Sequence, residues 1–219
     1  MFSGIVEAVG TVTEIVEGSQ AVRFTISESA VASRLEVGDS VSTSGVCLTV
    51  IECDGRSFSV EAIPETLRLT TLGDLRERDG VNLETALSLQ DGLGGHLVSG
   101  HVDGVGERLS GPPDGYDARQ PDEDEVIHWY SIPPGLRRFL VPKGSITIAG
   151  VSLTVVDVAP DAISVALIPH TLEVTTLGTL TVGGRVNLEA DMIAKYVTEL
   201  IEPYLEALRE AAGAGGREA

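Results

Sequence analysis

The chain repeats itself. Gly-Val-Cys-Leu-Thr-Val at 45–50 returns as Gly-Val-Ser-Leu-Thr-Val at 150–155, and Ile-Pro-Glu-Thr-Leu at 63–67 returns as Ile-Pro-His-Thr-Leu at 168–172. Thr-Thr-Leu-Gly at 70–73 recurs at 175–178, and Val-Asn-Leu-Glu at 81–84 recurs at 186–189, so all four pairs share an offset of 105. Between 45–84 and 150–189, 20 of 40 aligned positions are identical. That is too many for chance, and it restricts the fold to two copies of one unit. The halves also match at their starts, where Ser3-Gly4-Ile5-Val6 pairs with Ser99-Gly100-His101-Val102 at an offset of 96. The offset grows by nine between the two sets, so the second half carries about nine extra residues. The segment 111–125, rich in Pro, Gly and Asp, reads as the exposed loop that takes them.

Each copy reads as β structure. Short alternating apolar runs with β-branched residues and frequent Gly or Asp turns place strands at Val9–Val16, Ala21–Ser27, Ser40–Cys53, Ser57–Ile63 and Gly80–Thr85. Their equivalents recur after residue 97, and many short strands per unit suggest two small barrels. Successive strand residues point to opposite faces. Val46, Leu48 and Val50 therefore share an apolar face, and Cys47 and Thr49 share the other. In the second copy Val151, Leu153 and Val155 oppose Ser152 and Thr154. The polar pairs are either an exposed strand face or a ligand-facing wall built twice.

Helical periodicity starts only near residue 190. Met192, Ile193, Tyr196, Val197, Leu200, Ile201, Tyr204, Leu205 and Leu208 form one apolar stripe, with no second helix beside it to cover it. Self-association through this helix is expected, and Pro203 is expected to kink it or end it early. The Gly-rich end is expected to be disordered. The expected domains are a barrel over 1–96, a barrel over 97–189, a helix over 190–211 and a tail over 212–219.

Charge narrows the partners. Fifteen Lys and Arg stand against 33 Asp and Glu, for a net charge of −18. Neutralising a phosphate polymer or an anionic membrane needs clustered cations, so neither nucleic acid nor membrane is an expected partner. No apolar run is long enough to span a bilayer, and residues 1–7 lack a basic region ahead of an apolar one. A cytoplasmic location is expected. Cys47 and Cys53 are too few for a disulfide framework. His96 and His101, on a strand, would face opposite ways and have no third ligand, so no metal is expected. Gly92-Leu93-Gly94-Gly95 lacks the spacing and the Lys of a phosphate loop, and reads as the turn between halves.

A duplicated binding unit suggests two similar ligands, and the informative positions are those where the copies differ. Cys47 becomes Ser152, Ile5 becomes His101, Glu65 becomes His170, and Ala86 becomes Asp191. Taken alone, Cys47 reads as a small buried residue and His101 as a structural histidine. Together, differences inside the most similar segments point to two similar sites used asymmetrically.

The motifs carry a resemblance. Met-Phe-Ser-Gly-Ile-Val-Glu, Gly-Val-Cys-Leu-Thr-Val, Glu-Thr-Leu-Arg-Leu-Thr, Gly-Gly-His-Leu-Val-Ser-Gly-His-Val-Asp-Gly, Gly-Val-Ser-Leu-Thr-Val, Leu-Ile-Pro-His-Thr-Leu and Val-Asn-Leu-Glu-Ala-Asp, in order over residues 1 to about 200, resemble riboflavin synthase of the trimeric two-barrel type. Ser3 departs from the family's usual Thr but keeps the hydroxyl. The resemblance implies an all-β fold: two homologous six-stranded antiparallel barrels in tandem plus a C-terminal helix. It implies a homotrimer joined by those helices, with each active site between the barrels of neighbouring subunits. It implies the dismutation of two molecules of 6,7-dimethyl-8-ribityllumazine to riboflavin and 5-amino-6-ribitylaminouracil, with no metal or cofactor.

By similarity, Cys47, His101, Ser152 and Asp191 are the expected catalytic residues, with Phe2 and Thr154 supporting. The first-barrel ligand wall is expected from Gly4, Ile5, Val6, Cys47, Leu48, Thr49, Glu61, Ala62, Ile63, Pro64, Glu65 and Thr66. The second is expected from Gly100, His101, Val102, Ser152, Leu153, Thr154, Ala166, Leu167, Ile168, Pro169, His170 and Thr171. Lys143 is expected to reach in from a neighbouring subunit. His101 has a side chain suited to proton transfer near neutrality, Ser152 would orient a nucleophile, Asp191 would polarise His101 or Ser152, and Cys47 would line one ring. The rival reading is a non-catalytic antenna protein that binds a lumazine or flavin on the same fold.

Overall fold

A computed structural model describes residues 1–120, 122 and 125–215. Its strands fall into two closed six-stranded antiparallel barrels. The first contains β1 (Ala8–Glu17), β2 (Val22–Ser27), β3 (Ser40–Thr43), β4 (Val46–Cys53), β5 (Ser57–Ala62) and β6 (Gly80–Thr85). The second contains β7 (Gly104–Leu109), β8 (Val126–Ser131), β9 (Ser145–Ile148), β10 (Val151–Val158), β11 (Ala162–Leu167) and β12 (Arg185–Ala190). Strand order is the same in both: β1-β2-β5-β4-β3-β6, and β7-β8-β11-β10-β9-β12. Short helices α1 (Ser29–Ala32), α2 (Pro64–Leu69) and α3 (Pro169–Val174) decorate the barrels, and α4 (Met192–Gly215) follows them.

Each barrel is filled, as a six-stranded barrel must be. Val12, Phe24, Ile26, Val41, Val60 and Leu83 pack the first, and Tyr130, Ile146, Ile148, Ile163, Val165 and Leu188 pack the second. Ligand sites on these barrels therefore lie on the outer wall. The expected alternation along β4 holds: Val46, Leu48 and Val50 are buried, Cys47 is half-buried and Thr49 is exposed.

The run Ser40–Cys53 is not one strand. Ser44 and Gly45 adopt φ of 47° and 85°, and Thr43 pairs with Val46 across them. Positive φ at both central residues makes the two-residue turn that suits strand twist. Ala149 and Gly150 repeat it, with φ of 49° and 83°. The two turns abut, so that a Cβ on Gly45 would come within 2.8 Å of the Gly150 nitrogen.

The repeated motifs are the contacts between the barrels. Asn82 accepts from the Thr176 amide and donates to the Ala149 carbonyl, each at 2.8 Å. Asn187 accepts from the Thr71 amide and donates to the Ser44 carbonyl, also at 2.8 Å. Thr70 and Thr175 each accept from the amide two residues on, at 3.3 Å, which caps the turn that presents Thr71 and Thr176. A local two-fold relates the two sets, which is why identity between the halves concentrates there.

Segments 1–7 and 97–103 do not belong to a single barrel. Phe2 and Val98 bridge them, amide to carbonyl, at 2.8 and 3.0 Å. Each segment is an arm that runs from its own barrel onto the wall of the other.

Helix α4 begins at Met192 and extends through Pro203 to Gly215. Pro203 does not end it: the carbonyl it leaves without a helical donor belongs to Glu199, on an exposed turn open to solvent. The expected end at residue 211 is thus passed; residues 216–219 lie outside the described residues, and so does the side chain of Leu208. Ile193, Tyr196, Leu200 and Tyr204 are 60 to 73% exposed, so the stripe is uncovered within one chain. No described helix is long and apolar enough to cross a membrane. Tyr116, in the insertion of the second half, meets the Trp129 ring edge-on at 5.6 Å.

Candidate functional site

Two carboxylates hold the arms. Glu84 on β6 accepts from Ser3 N and Oγ at 2.6 and 2.7 Å and from Gly4 N at 3.0 Å. Glu189 on β12 accepts from Ser99 N and Oγ at 2.8 and 2.6 Å and from Gly100 N at 2.9 Å. Burial lifts the Glu84 carboxyl above the ordinary range, although three donors pull the other way. The Ser3 hydroxyl, the position where the family usually has Thr, is fully engaged.

From these anchors the arms cross over. The Gly4 carbonyl accepts from Ser152 N at 2.7 Å, and the Gly100 carbonyl accepts from Cys47 N at 2.9 Å. Both glycines sit at positive φ, 76° and 79°, and a Cβ would lie 2.6 Å from the Cβ of Ser152 or Cys47. Only glycine satisfies that backbone and that approach. The expected walls are therefore exchanged. Gly4, Ile5 and Val6 border Ser152, and Val6 packs on the second core. Gly100, His101 and Val102 border Cys47, and Val102 packs on the first core. The cause is tertiary: motif spacing assigns an arm to the barrel it precedes, whereas the chain feeds it to the neighbour.

Within each wall, some residues face the core. Leu48, Ala62 and Leu167 are buried, so they offer only backbone to the outer surface. Leu153 is partly buried against the second core. Glu61, Ile63, Pro64 and Glu65 are exposed, as are Ile168, Pro169 and His170, while Thr66, Ala166 and Thr171 are half-buried. Ile5, Ile63 and Ile168 are 49, 57 and 61% exposed, which leaves apolar surface beside the polar pairs Cys47/Thr49 and Ser152/Thr154. An apolar platform with a few placed polar groups suits a flat heterocycle.

Phe2, expected in the site, is fully buried. Its backbone joins the two arms through the bridge to Val98. His96 and His101 lie on no strand, so the opposite-face argument does not apply. Among the described residues no group of three metal-ligating side chains occurs. His101 is exposed and borders a cleft of about 390 Å³ with Ser99, Asp103, Phe139, Lys195 and Tyr196. Asp103 accepts from Ala190 N at 2.8 Å and from Lys195 Nζ at 2.7 Å, which ties the His101 arm to the first turns of α4. The corresponding arm of the first barrel is tied by Glu7 to the Thr85 amide at 2.8 Å and to Arg34.

Asp191 caps α4, accepting from Ile193 N at 2.9 Å. Its charge also acts on a residue missed in the sequence. His96 lies with Nδ1 2.7 Å from Ser152 Oγ and Nε2 3.2 Å from Thr147 Oγ1. Burial depresses its basicity, and the Asp191 and Glu189 carboxylates partly restore it. Asp191 thus bears on Ser152 through His96. The signal was the His itself, three residues before Ser99, but nothing in linear spacing pairs residue 96 with 152.

Lys143 is exposed, makes no ion pair among the described residues and holds φ of 67°. The matching position of the first barrel is Gly38, at φ of 100°.

Two filled barrels with crossed arms and paired outer walls define a class, and comparison with known proteins agrees. The lumazine-binding-domain model matches residues 3–86 and 99–191. Crystal structures of LumP complexed with 6,7-dimethyl-8-(1'-D-ribityl) lumazine and with riboflavin superpose with TM-scores of 0.72 and 0.74, at 27 and 26% identity, over 87% of this chain and 99% of theirs. Riboflavin synthases are more similar in sequence. That of Actinobacillus pleuropneumoniae is 39% identical over 92% of this chain and 90% of its own. That of Bacillus subtilis is 38% identical over 90 and 88%, and that of Mycobacterium tuberculosis is 44% identical over 92 and 98%. The chain belongs to the riboflavin synthase family, and it is an enzyme of that family.

Proposed function

We propose that the chain catalyses the dismutation of 6,7-dimethyl-8-ribityllumazine, two molecules giving one riboflavin and one 5-amino-6-ribitylaminouracil. One lumazine gives up C6, C7 and their methyl groups; the other takes the four-carbon unit into its new ring. The products together contain the atoms of the two substrates, so no oxidant or cofactor enters the overall equation. The observation that carries this reading is the pair of matched outer walls bearing different reactive groups, Cys47 with the His101 arm and Ser152 with His96. Two copies of one substrate in unlike roles need two similar sites with unlike chemistry.

The C7 methyl is acidic because its carbanion delocalises into the heterocycle. Stacking two rings in register converts a bimolecular encounter into a positioned one, which supplies much of the acceleration. His101, exposed on the arm that borders Cys47, moves a proton in this reading. Ser152 orients the nucleophile, and Asp191 supports it through His96. The exposed stripe of α4 supports a homotrimer, in which the first barrel of one subunit meets the second barrel of another and Lys143 reaches across. A cytoplasmic location fits this chemistry.

The experiment is to incubate the purified protein with the lumazine alone and quantify both compounds by chromatography. One riboflavin per two lumazines consumed supports the proposal. Tight binding without riboflavin makes the protein an antenna or carrier and overturns it. His101→Ala is expected to lower turnover by about 100-fold while lumazine affinity changes little. Equal losses in both would reduce His101 to a binding group.

A further inference from the structure

His96 bridges two strands of the second wall. Its ring joins Ser152 on β10, at 2.7 Å, to Thr147 on β9, at 3.2 Å, and those residues are direct cross-strand partners. The first wall has the same register, with Cys47 opposite Ser42. Among the described residues no histidine ring is hydrogen-bonded to either of them. The histidine relay belongs to one of two otherwise matched sites.

Both partners are hydroxyls, so the ring's tautomer is not fixed by them. With the proton on Nε2, the ring donates to Thr147, and Ser152 donates to Nδ1. The Ser152 oxygen then keeps its lone pairs for a bound molecule. With the proton on Nδ1, Ser152 accepts from the ring and turns its own hydrogen outward. A protonated ring donates at both nitrogens, so only the second arrangement survives.

We propose that His96 is a positioning residue that sets the Ser152 hydroxyl as acceptor or donor toward the ligand of the second wall, and that its protonation locks that wall, and not the first, in the donor form. This rests on the reading of Ser152 as a ligand contact. The charged groups facing the ring are Glu189 on β12 and Asp191 at the start of α4. Both favour the cation, burial opposes it, and burial prevails. The neutral, switchable form is therefore the working form near neutrality.

The test is a double-mutant cycle on the full-length protein, with 6,7-dimethyl-8-ribityllumazine as the probe. Turnover and lumazine binding are measured for wild type, His96→Gln, Ser152→Ala and the double variant, from about pH 5 to about pH 8. His96→Gln is expected to lower kcat about tenfold, leave KM within about twofold, and abolish the acid-side fall in kcat. On the Ser152→Ala background it is expected to cost less than about twofold. Equal fold-losses on both backgrounds, or an acid limb that survives His96→Gln, would overturn the proposal. His96→Asn, which retains a donor at the Nδ1 position, covers the case in which the Gln variant does not fold. It is expected to be pH-independent at the acid-limit rate of wild type, and an acid limb in it has the same overturning force. If wild type binds lumazine but forms no riboflavin, the dismutation reading fails alone, and the cycle is read on binding at the second of the two sites. If wild type binds no lumazine, both fall.

Discussion

At the scale of single residues, the two halves differ most informatively where one pays a conformational cost. Lys143 holds a left-handed backbone that its counterpart Gly38 holds freely. For a residue with a Cβ that conformation costs about 1 kcal/mol. The turn itself holds the conformation, through the Lys143 amide on the Val155 carbonyl at 2.8 Å, but the ammonium has no ion-pair partner among the described residues. In the proposed assembly that ammonium would serve the neighbour's site. Lys143→Gly is accordingly expected to leave the melting temperature unchanged or slightly raised, while turnover drops at least about tenfold. A variant that loses stability and keeps its rate would assign Lys143 to the fold. Residues of this kind were partly legible beforehand. The alternation of Val46, Leu48 and Val50 against Cys47 and Thr49 is a local property of a strand, and it survives folding intact. The roles of Phe2 and His96 were not legible, because burial of one and the hydrogen bond of the other depend on segments far away in the chain.

At the scale of elements, the barrels are joined by backbone groups that only two asparagines can satisfy. Asn82 on β6 and Asn187 on β12 each give one donor and one acceptor to the opposite barrel, and both are buried. Removing either side chain strands an amide and a carbonyl. Asn82→Ala is expected to cost about 2–4 kcal/mol, read as a lower denaturant midpoint, and Asn187→Ala should match it within about 1 kcal/mol. A clear inequality would show that the local two-fold is not energetically symmetric. The same interface explains the strand that sequence patterning ran together. The apolar phase shifts between Val41 and Val46 across Ser44–Gly45, but the turn has no Asn or Asp to announce it. What makes the turn necessary is its contact with Gly150.

At the scale of the molecule, the two cores are not equivalent in their response to acid. The strand pairs Val12–Ile26 and Arg108–Tyr130 occupy matching places in the two barrels, and Phe24 in the first corresponds to His128 in the second. His128 is buried, with Nδ1 3.2 Å from the Tyr130 hydroxyl. Burial, with the Arg108 charge adding to it, lowers its pKa to about 4. Because the folded value lies below the unfolded value near 6.5, the neutral form is the one the fold favours. Its contribution is present above about pH 6.5 and is lost as the pH falls toward about 4, an amount on the order of 2–3 kcal/mol. His128→Phe, which restores the first barrel's residue, should flatten that acid-side loss in thermal melts. An unchanged slope would mean that other groups carry it. A second prediction concerns assembly. Truncation after Asp191 removes the exposed stripe of α4 and the Lys195 partner of Asp103, and is expected to yield monomers with less than about 1% of the activity. A fully active monomer would remove the intersubunit site from the proposal.

The sequence alone determined the duplication, the all-β barrels, the terminal helix and the polar faces that mark the walls. These follow from repetition and from periods of two and 3.6 residues, which are properties of neighbouring positions. The tertiary structure alone decided which arm completes which wall, that His96 rather than His101 touches Ser152, and that Phe2 joins the two arms. Those facts turn on contacts between residues far apart in the chain, Gly4 with Ser152, Gly100 with Cys47, His96 with Ser152 and Phe2 with Val98. Such pairings arise from how two closed barrels dock around a local two-fold, and no local pattern of side chains encodes that geometry.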